Sequence, residues 1–176
     1  MTKNSNKIKK LGLLILSLGI SVLIVLNKDN LAELEEYGYI GIFLLSVLGN
    51  ATVIIPAPVI LTAFVGGSIF NPYLVGLISA LGATFGELTG YMAGYGGKAF
   101  LEEKEKYKKI KGWIEKRGFI TIFTLAVIPN PLFDLAGIFA GGTNYPLSRF
   151  FVATFLGKTI KFVAVALIGS YALQTL

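Results

Sequence analysis

Two stretches of this chain repeat one another, and each interrupts a hydrophobic run with proline in its middle. The first opens Gly38-Tyr-Ile-Gly-Ile-Phe43, breaks across 50–58 with Pro56 and Pro58, and continues through Gly66-Gly67, Asn71-Pro72 and Leu81-Gly82. The second opens Gly118-Phe-Ile-Thr-Ile-Phe123, breaks at Pro129-Asn130-Pro131, and continues through Gly141-Gly142, Asn144-Tyr145-Pro146 and Leu156-Gly157. Residue numbers shift by 80 before the break (38 to 118) and by 75 after it (66 to 141, 82 to 157), so only the break differs in length. Interrupted apolar segments at matching places in two halves point to a binding site near the middle of a transporter-like membrane fold.

Composition places the chain in lipid. Of its 176 residues 54% are hydrophobic and 15% charged, and the mean hydropathy is +0.71, too apolar for the surface of a soluble domain this small. The chain has no Cys and no His, which excludes thiol nucleophiles, disulfides, Ser-His relays and zinc held by imidazole or thiolate. No nucleotide-binding loop is present, no cofactor is expected, and an enzyme is the least expected class.

The charges give a topology. Residues 11–26 are almost purely apolar and follow Lys3, Lys7, Lys9 and Lys10; without a small-x-small cleavage pattern after Leu26, they read as an uncleaved anchor helix. The segment 29–36 carries four acids and is expected outside. Residues 97–117 carry eight basic residues against four acids and are expected in the cytoplasm; with the four N-terminal lysines and Arg149, 13 of the 16 basic residues then lie inside. An odd number of crossings must then join Gly38 to Lys98, although 40–93 is long enough for two helices or more.

A hairpin broken by proline resolves this. Residues 40–49 would descend, 50–58 turn near the midplane, 59–67 return, and 73–94 span; in the second half 120–128 would rise, 129–131 turn, 132–141 return, and 147–172 span. Each arm covers about half of a roughly 30 Å hydrocarbon layer. The expected fold is therefore an all-α polytopic membrane protein. It is an inverted repeat of two re-entrant helical hairpins (37–97 and 118–176), each followed by a spanning helix, with an N-terminal anchor in 1–36 and a basic cytoplasmic linker at 98–117. Backbone freed by proline cannot face lipid, so both turns must be buried or line a wet cavity. The plainer alternative is that these prolines only kink ordinary spanning helices.

Glu87, Asp134, Lys158 and Lys161 fall inside segments that belong in hydrocarbon. A charge at the bilayer centre costs at least about 2.5–3.5 kcal/mol, so they are expected to face inward and find partners. Glu87 and Lys158 each lie roughly 17–21 Å along their spanning helices, near the middle. Lys158 and Lys161 share a helix face. The functional reading is a polar groove for a lipid headgroup; the structural one is a buried ion-pair set that only fixes helix register. The expected path is lined by Glu87, Asp134, Lys158 and Lys161, with Asn50, Pro56, Pro58, Pro129, Asn130 and Pro131 at its constriction. Gly82, Gly86, Gly90 and Gly94 recur along one face, which serves close helix packing. Residues 101–116 alternate Glu and Lys, with Tyr107, Ile110 and Trp113 at helical spacing; they read either as an interfacial helix on anionic lipid or as a solvated linker.

At these residues the sequence resembles the VTT domain of the DedA superfamily, the SNARE-associated Golgi proteins, over roughly 37–172. Gly82-Ala-Thr-Phe-Gly86-Glu87-Leu88-x-x-Tyr91 resembles the family's Gly-x-x-x-Gly-acid-x-x-x-Tyr element. Ile128-Pro-Asn-Pro-Leu-Phe-Asp-Leu-Ala-Gly-Ile138 and Phe150-Phe-Val-Ala-Thr-Phe-Leu-Gly-Lys158 resemble the vacuole membrane protein branch. The resemblance implies two opposed re-entrant hairpins and a role in scrambling phospholipids or moving polyprenyl-phosphate carriers. Bacterial members usually carry Arg-Phe-x-Pro and a further Arg. Here Ala126-Val127-Ile128-Pro129 precedes Asn130, Pro131 and Leu132, neither arginine is present, and Asn50 stands where an acid is usual. These departures favour passive scrambling.

The expected protein is thus a multi-pass lipid transporter of a prokaryotic cytoplasmic membrane, N-terminus inside and C-terminus outside, an ATP-independent scramblase whose partners are membrane phospholipids rather than nucleic acid. A homodimer is compatible with it. The rival readings are a proton- or ion-coupled carrier of a lipid phosphate such as a polyprenyl phosphate, and a membrane scaffold that does not transport.

Overall fold

The computed structural model describes residues 35–51, 59–96, 105–129 and 132–174. The anchor at 11–26, Pro56, Pro58, Asn130, Pro131 and the start of the basic segment at 97–104 lie outside the described residues. All regular structure among the described residues is helical: α1 (Glu35–Ala51), α2 (Val59–Ile69), α3 (Pro72–Gly96), α4 (Glu105–Val127), α5 (Leu132–Gly142) and α6 (Leu147–Gln174). Among the described residues two stretches are long and apolar enough to cross a membrane, Pro72–Tyr95 in α3 and Leu147–Ala172 in α6. At about 1.5 Å per residue both exceed a hydrocarbon layer of about 30 Å, whereas the 11 residues of α2 and of α5 reach only about half of it.

Local chemistry sets the helix ends. Asn71 caps α3, its Oδ1 accepting from the Tyr73 and Leu74 amides at 3.0 and 3.2 Å, and Pro72 takes the first helical position, where no amide proton is needed. α5 ends at Gly142, and Asn144 turns the chain with φ of 56°. The amides of Asn144 and Tyr145 fold back onto the carbonyls of Gly141 and Ala140 at 3.0 and 2.8 Å.

One boundary differs from the sequence expectation, and one open alternative is decided. α1 runs through Asn50 to Ala51 instead of stopping at Gly49, and the Asn50 side-chain Nδ2 donates back to the Ser46 carbonyl at 2.9 Å, tying the side chain to the last turn. Of the two readings open for the basic segment, the described part, residues 105–117, takes the helical one: it is a basic helix that meets the apolar arm at a kink, where Arg117 leaves helical geometry (φ −144°, ψ 50°). The Thr121 hydroxyl bridges that kink by donating to the Trp113 carbonyl at 3.3 Å.

The long helices α3 and α6 lie side by side, and the other four pack around them, α1 and α5 on α3, α2 and α4 on α6. Equivalent positions of the repeat build equivalent contacts. A β-carbon on Gly82 would strike the Phe43 carbonyl, and one on Gly157 the Phe123 carbonyl; a β-carbon on Gly38 would meet the Phe70 ring, and one on Gly118 the Tyr145 ring. Crossings between the halves match to within one residue: Gly94 of α3 abuts the Ile138 carbonyl of α5, and Gly169 of α6 abuts the Phe64 carbonyl of α2. Glycine is what lets these backbones touch.

Two apolar clusters result. One gathers Ile122, Phe133, Phe139 and Phe150 with Tyr91, and the other gathers Ile42, Val59, Val75, Ala83 and Phe162. Large apolar side chains such as Ile40, Leu48, Met92, Ile160 and Ile168 point outward, an outer surface suited to lipid.

Candidate functional site

Between those clusters, on both long helices, lies a buried polar centre. Glu87 follows Ala83 and precedes Tyr91 on α3, and Lys158 lies between Phe150 and Phe162 on α6, so each helix carries its charge at the junction of the two cores. The Lys158 ammonium donates to Glu87 Oε1 at 2.7 Å and to Asn50 Oδ1 at 2.6 Å, and the two charged side chains are 1% and 3% exposed. At that burial water cannot screen the pair. Removing one partner of such a pair costs about 3–5 kcal/mol, whereas an exposed pair is worth about 0–1.

Both helix breaks meet at this lysine. Asn50 comes from the last turn of α1, just before the first break, and Phe133 from the first turn of α5, just after the second; the Phe133 ring lies 4.9 Å from the Lys158 ammonium. The ring face adds attraction for the cation. The last carbonyl of α1, on Ala51, accepts from the Thr89 hydroxyl at 2.7 Å, so α3 satisfies a group that the end of the helix leaves without an intrahelical partner. Gly137 of α5 would bring a β-carbon to 3.7 Å from Glu87 Oε2, which places α5 directly over the carboxylate.

The sequence-expected residues are distributed as follows. Glu87, Lys158 and Asn50 are drawn together from three helices, with Asn50 acting from a helix end and not from a turn. Lys161, about one turn beyond Lys158, is half-buried with its ammonium 4.9 Å from the Phe162 ring. Pro129 follows α4 and is exposed. Asp134 belongs to α5 beside Phe133, but its side chain, like Pro56, Pro58, Asn130 and Pro131, lies outside the described residues.

Sequence reasoning missed Phe133 and a set of interior hydroxyls. Ser46, Ser79 and Thr154 are fully buried, and their hydroxyls, with that of Thr159, make no hydrogen bond among the described residues. Ser46 and Thr154 sit four residues before Asn50 and Lys158, one helical turn along the same face, and that spacing was a legible signal. Nothing in the local sequence marks Phe133. The arrangement can hold a zwitterion: one buried cation, one buried anion and a neutral amide, with the unused hydroxyls of Ser46 and Thr154 one helical turn away.

The family model of the VTT domain matches residues 55–171. A 60-residue stretch is 45% identical to the vacuole membrane protein KMS2 of Arabidopsis thaliana, covering 32% of this chain and 14% of the plant protein. Another, of 53 residues, is 49% identical to the vacuole membrane protein 1 homolog of Dictyostelium discoideum, covering 30% of this chain and 13% of that protein. The matches thus span only about a seventh of the length of these relatives. Over 157 residues, 78% of this chain and 72% of the relative, the chain is 29% identical to an alkaline phosphatase-like protein of Lactococcus lactis. No solved structure matches. The domain match extends over well more than half of the sequence, from just before α2 to the last turns of α6, and the chain therefore belongs to the VTT-domain family of membrane proteins, the DedA superfamily, in its vacuole membrane protein branch.

Proposed function

We propose that this protein equilibrates phospholipids between leaflets without ATP, passing headgroups through the polar centre at Lys158 while acyl chains stay in the bilayer. In this reading α1–α2 and α4–α5 are re-entrant hairpins entering from opposite faces of a prokaryotic cytoplasmic membrane, each followed by its spanning helix. The paired contacts of equivalent glycines and the half-thickness of α2 and α5 support an inverted repeat.

The observation that carries the proposal is the convergence of both breaks on one buried, neutral ion pair. A zwitterionic headgroup is the electrostatic complement of that pair. Its phosphate can replace Glu87 beside Lys158 while its ammonium replaces Lys158 beside Glu87, so neither buried charge is left alone during passage. The interior hydroxyls of Ser46 and Thr154, one helical turn before Asn50 and Lys158, offer further bonds to the moving phosphate. A closed pair also explains how a leak for ions is avoided when no headgroup is present, since an unaccompanied ion supplies only one of the two charges.

Purified protein in liposomes carrying fluorescent phospholipids tests this. Accelerated access of an outer reductant to inner-leaflet lipid is expected, with Lys158→Ala reducing it to the rate of empty vesicles. If the intact protein accelerates nothing, the transport reading fails.

A further inference from the structure

α4 changes character at its kink: residues 105–117 are rich in Lys and Glu, and 118–127 are apolar. Facing this junction, far along the chain, stands the loop from α5 to α6, and between them opens a cleft of about 610 Å³. Lys116 and Arg117 line it from α4 and Arg149 from the first turn of α6. Glu115 is the one carboxylate in the lining, and it is already placed against Lys111 at 3.9 Å. Among the described residues none of the three cations forms an ion pair with a carboxylate.

The walls are built, not incidental. The loop is fixed by the amides of Asn144 and Tyr145 returning to α5 and by the Tyr91 hydroxyl donating to the Tyr145 carbonyl at 2.5 Å. The Tyr145 ring packs directly on Gly118, where any side chain would displace it. Just past Arg117 along the apolar arm of α4, Phe119 and Ile120 are exposed, and Trp113 is exposed on the polar side. Cations, then aromatic and aliphatic surface, is the sequence of chemistries a lipid presents from phosphate to acyl chain, and tryptophan favours the same depth.

We propose that this cleft binds the phosphate of an anionic phospholipid, held by Arg117 and Arg149 with Lys116 beside them, the acyl chains lying along Phe119 and Ile120. The site is separate from the polar centre at Lys158 and does not depend on leaflet exchange. Two arginines can grip a phosphate with paired hydrogen bonds, which a diffuse basic surface cannot.

Trp113 is the single tryptophan of the chain and precedes Arg117 by about one helical turn, which makes it a reporter. The full chain is reconstituted in phosphatidylcholine nanodiscs, and its fluorescence is measured with brominated phosphatidylglycerol or brominated phosphatidylcholine at equal mole fraction. A cation held against the headgroup is worth about five-fold in partition of an anionic lipid, so clearly stronger quenching by the anionic lipid is expected from the cleft arginines. Arg117→Gln with Arg149→Gln should abolish the difference, Arg117→Lys with Arg149→Lys should retain part of it and thereby show that the fold survives, and Lys109→Gln, an exposed lysine outside the cleft, should leave it unchanged. Inorganic phosphate at constant ionic strength should not relieve the quenching. Equal quenching by the two lipids, an equal loss in Lys109→Gln, or displacement by inorganic phosphate overturns the proposal, the last by making free phosphate the ligand.

Discussion

Replacing Lys158 by Met separates the scaffold role of the buried pair from its proposed role in transport. Methionine keeps an unbranched chain against the Phe133 ring, a contact that sulfur also favours, so the loss is nearly all electrostatic. The carboxylate of Glu87, 3% exposed, then has no ammonium at 2.7 Å, and Asn50 loses its charged donor at 2.6 Å. Stranding one member of a buried pair costs about 3–5 kcal/mol, and a surviving acceptor that loses a charged donor adds about 1. The single variant should therefore lose about 4–6 kcal/mol, a third or more of the roughly 5–15 kcal/mol that ordinary folds possess.

Adding Glu87→Gln removes the stranded charge, and the double variant should recover at least half of that loss. Denaturant titration in detergent micelles, followed by Trp113 fluorescence, reads both. The recovered double variant should nevertheless fail to exchange lipid, because Gln and Met offer a headgroup neither counter-charge. Two results refute the reasoning. A double variant no more stable than Lys158→Met denies the coupling, and a stable one that exchanges lipid at the rate of the unaltered protein makes the pair a scaffold alone.

Two further variants test the packing that positions the site. Gly94→Leu drives a side chain into the Ile138 backbone and should cost about 1–3 kcal/mol or more, whereas Gly41→Ala, which meets nothing within 4 Å, should be neutral or gain up to about 1 from helix propensity; thermal unfolding in micelles compares them. Tyr91→Phe removes the hydroxyl that ties α3 to the Tyr145 carbonyl and should cost about 1 kcal/mol in the same assay, with the full-length protein remaining monodisperse.

Much of this was legible before any coordinates, and the reason is that helix signals are local. Proline placement, glycine pairs and unbroken apolar runs act over a few residues, so the lengths of α2, α3, α5 and α6 and the lipid setting followed directly from the chain. The cost of a charge in hydrocarbon likewise marked Glu87 and Lys158 without reference to any neighbour. Where local signals compete, the sequence was a poorer guide. Asn50 favours turns yet ends inside a helix with its side chain bonded back to Ser46, and the basic run at 105–117 suits a linker or a helix equally in sequence and is helical in the fold, up to the kink at Arg117.

Partner choice was decided only by the tertiary structure. Lys158 finds Glu87 across 71 residues and Asn50 across 108, and no periodicity within one helix encodes which of several buried charges will meet. The same holds for Phe133 over the ammonium and for Arg149 opposite Arg117. A residue's need for a partner is set by its own chemistry and depth, which the sequence contains. The identity of that partner depends on how the helices cross, and those crossings are fixed where glycine backbones of separate segments come into contact.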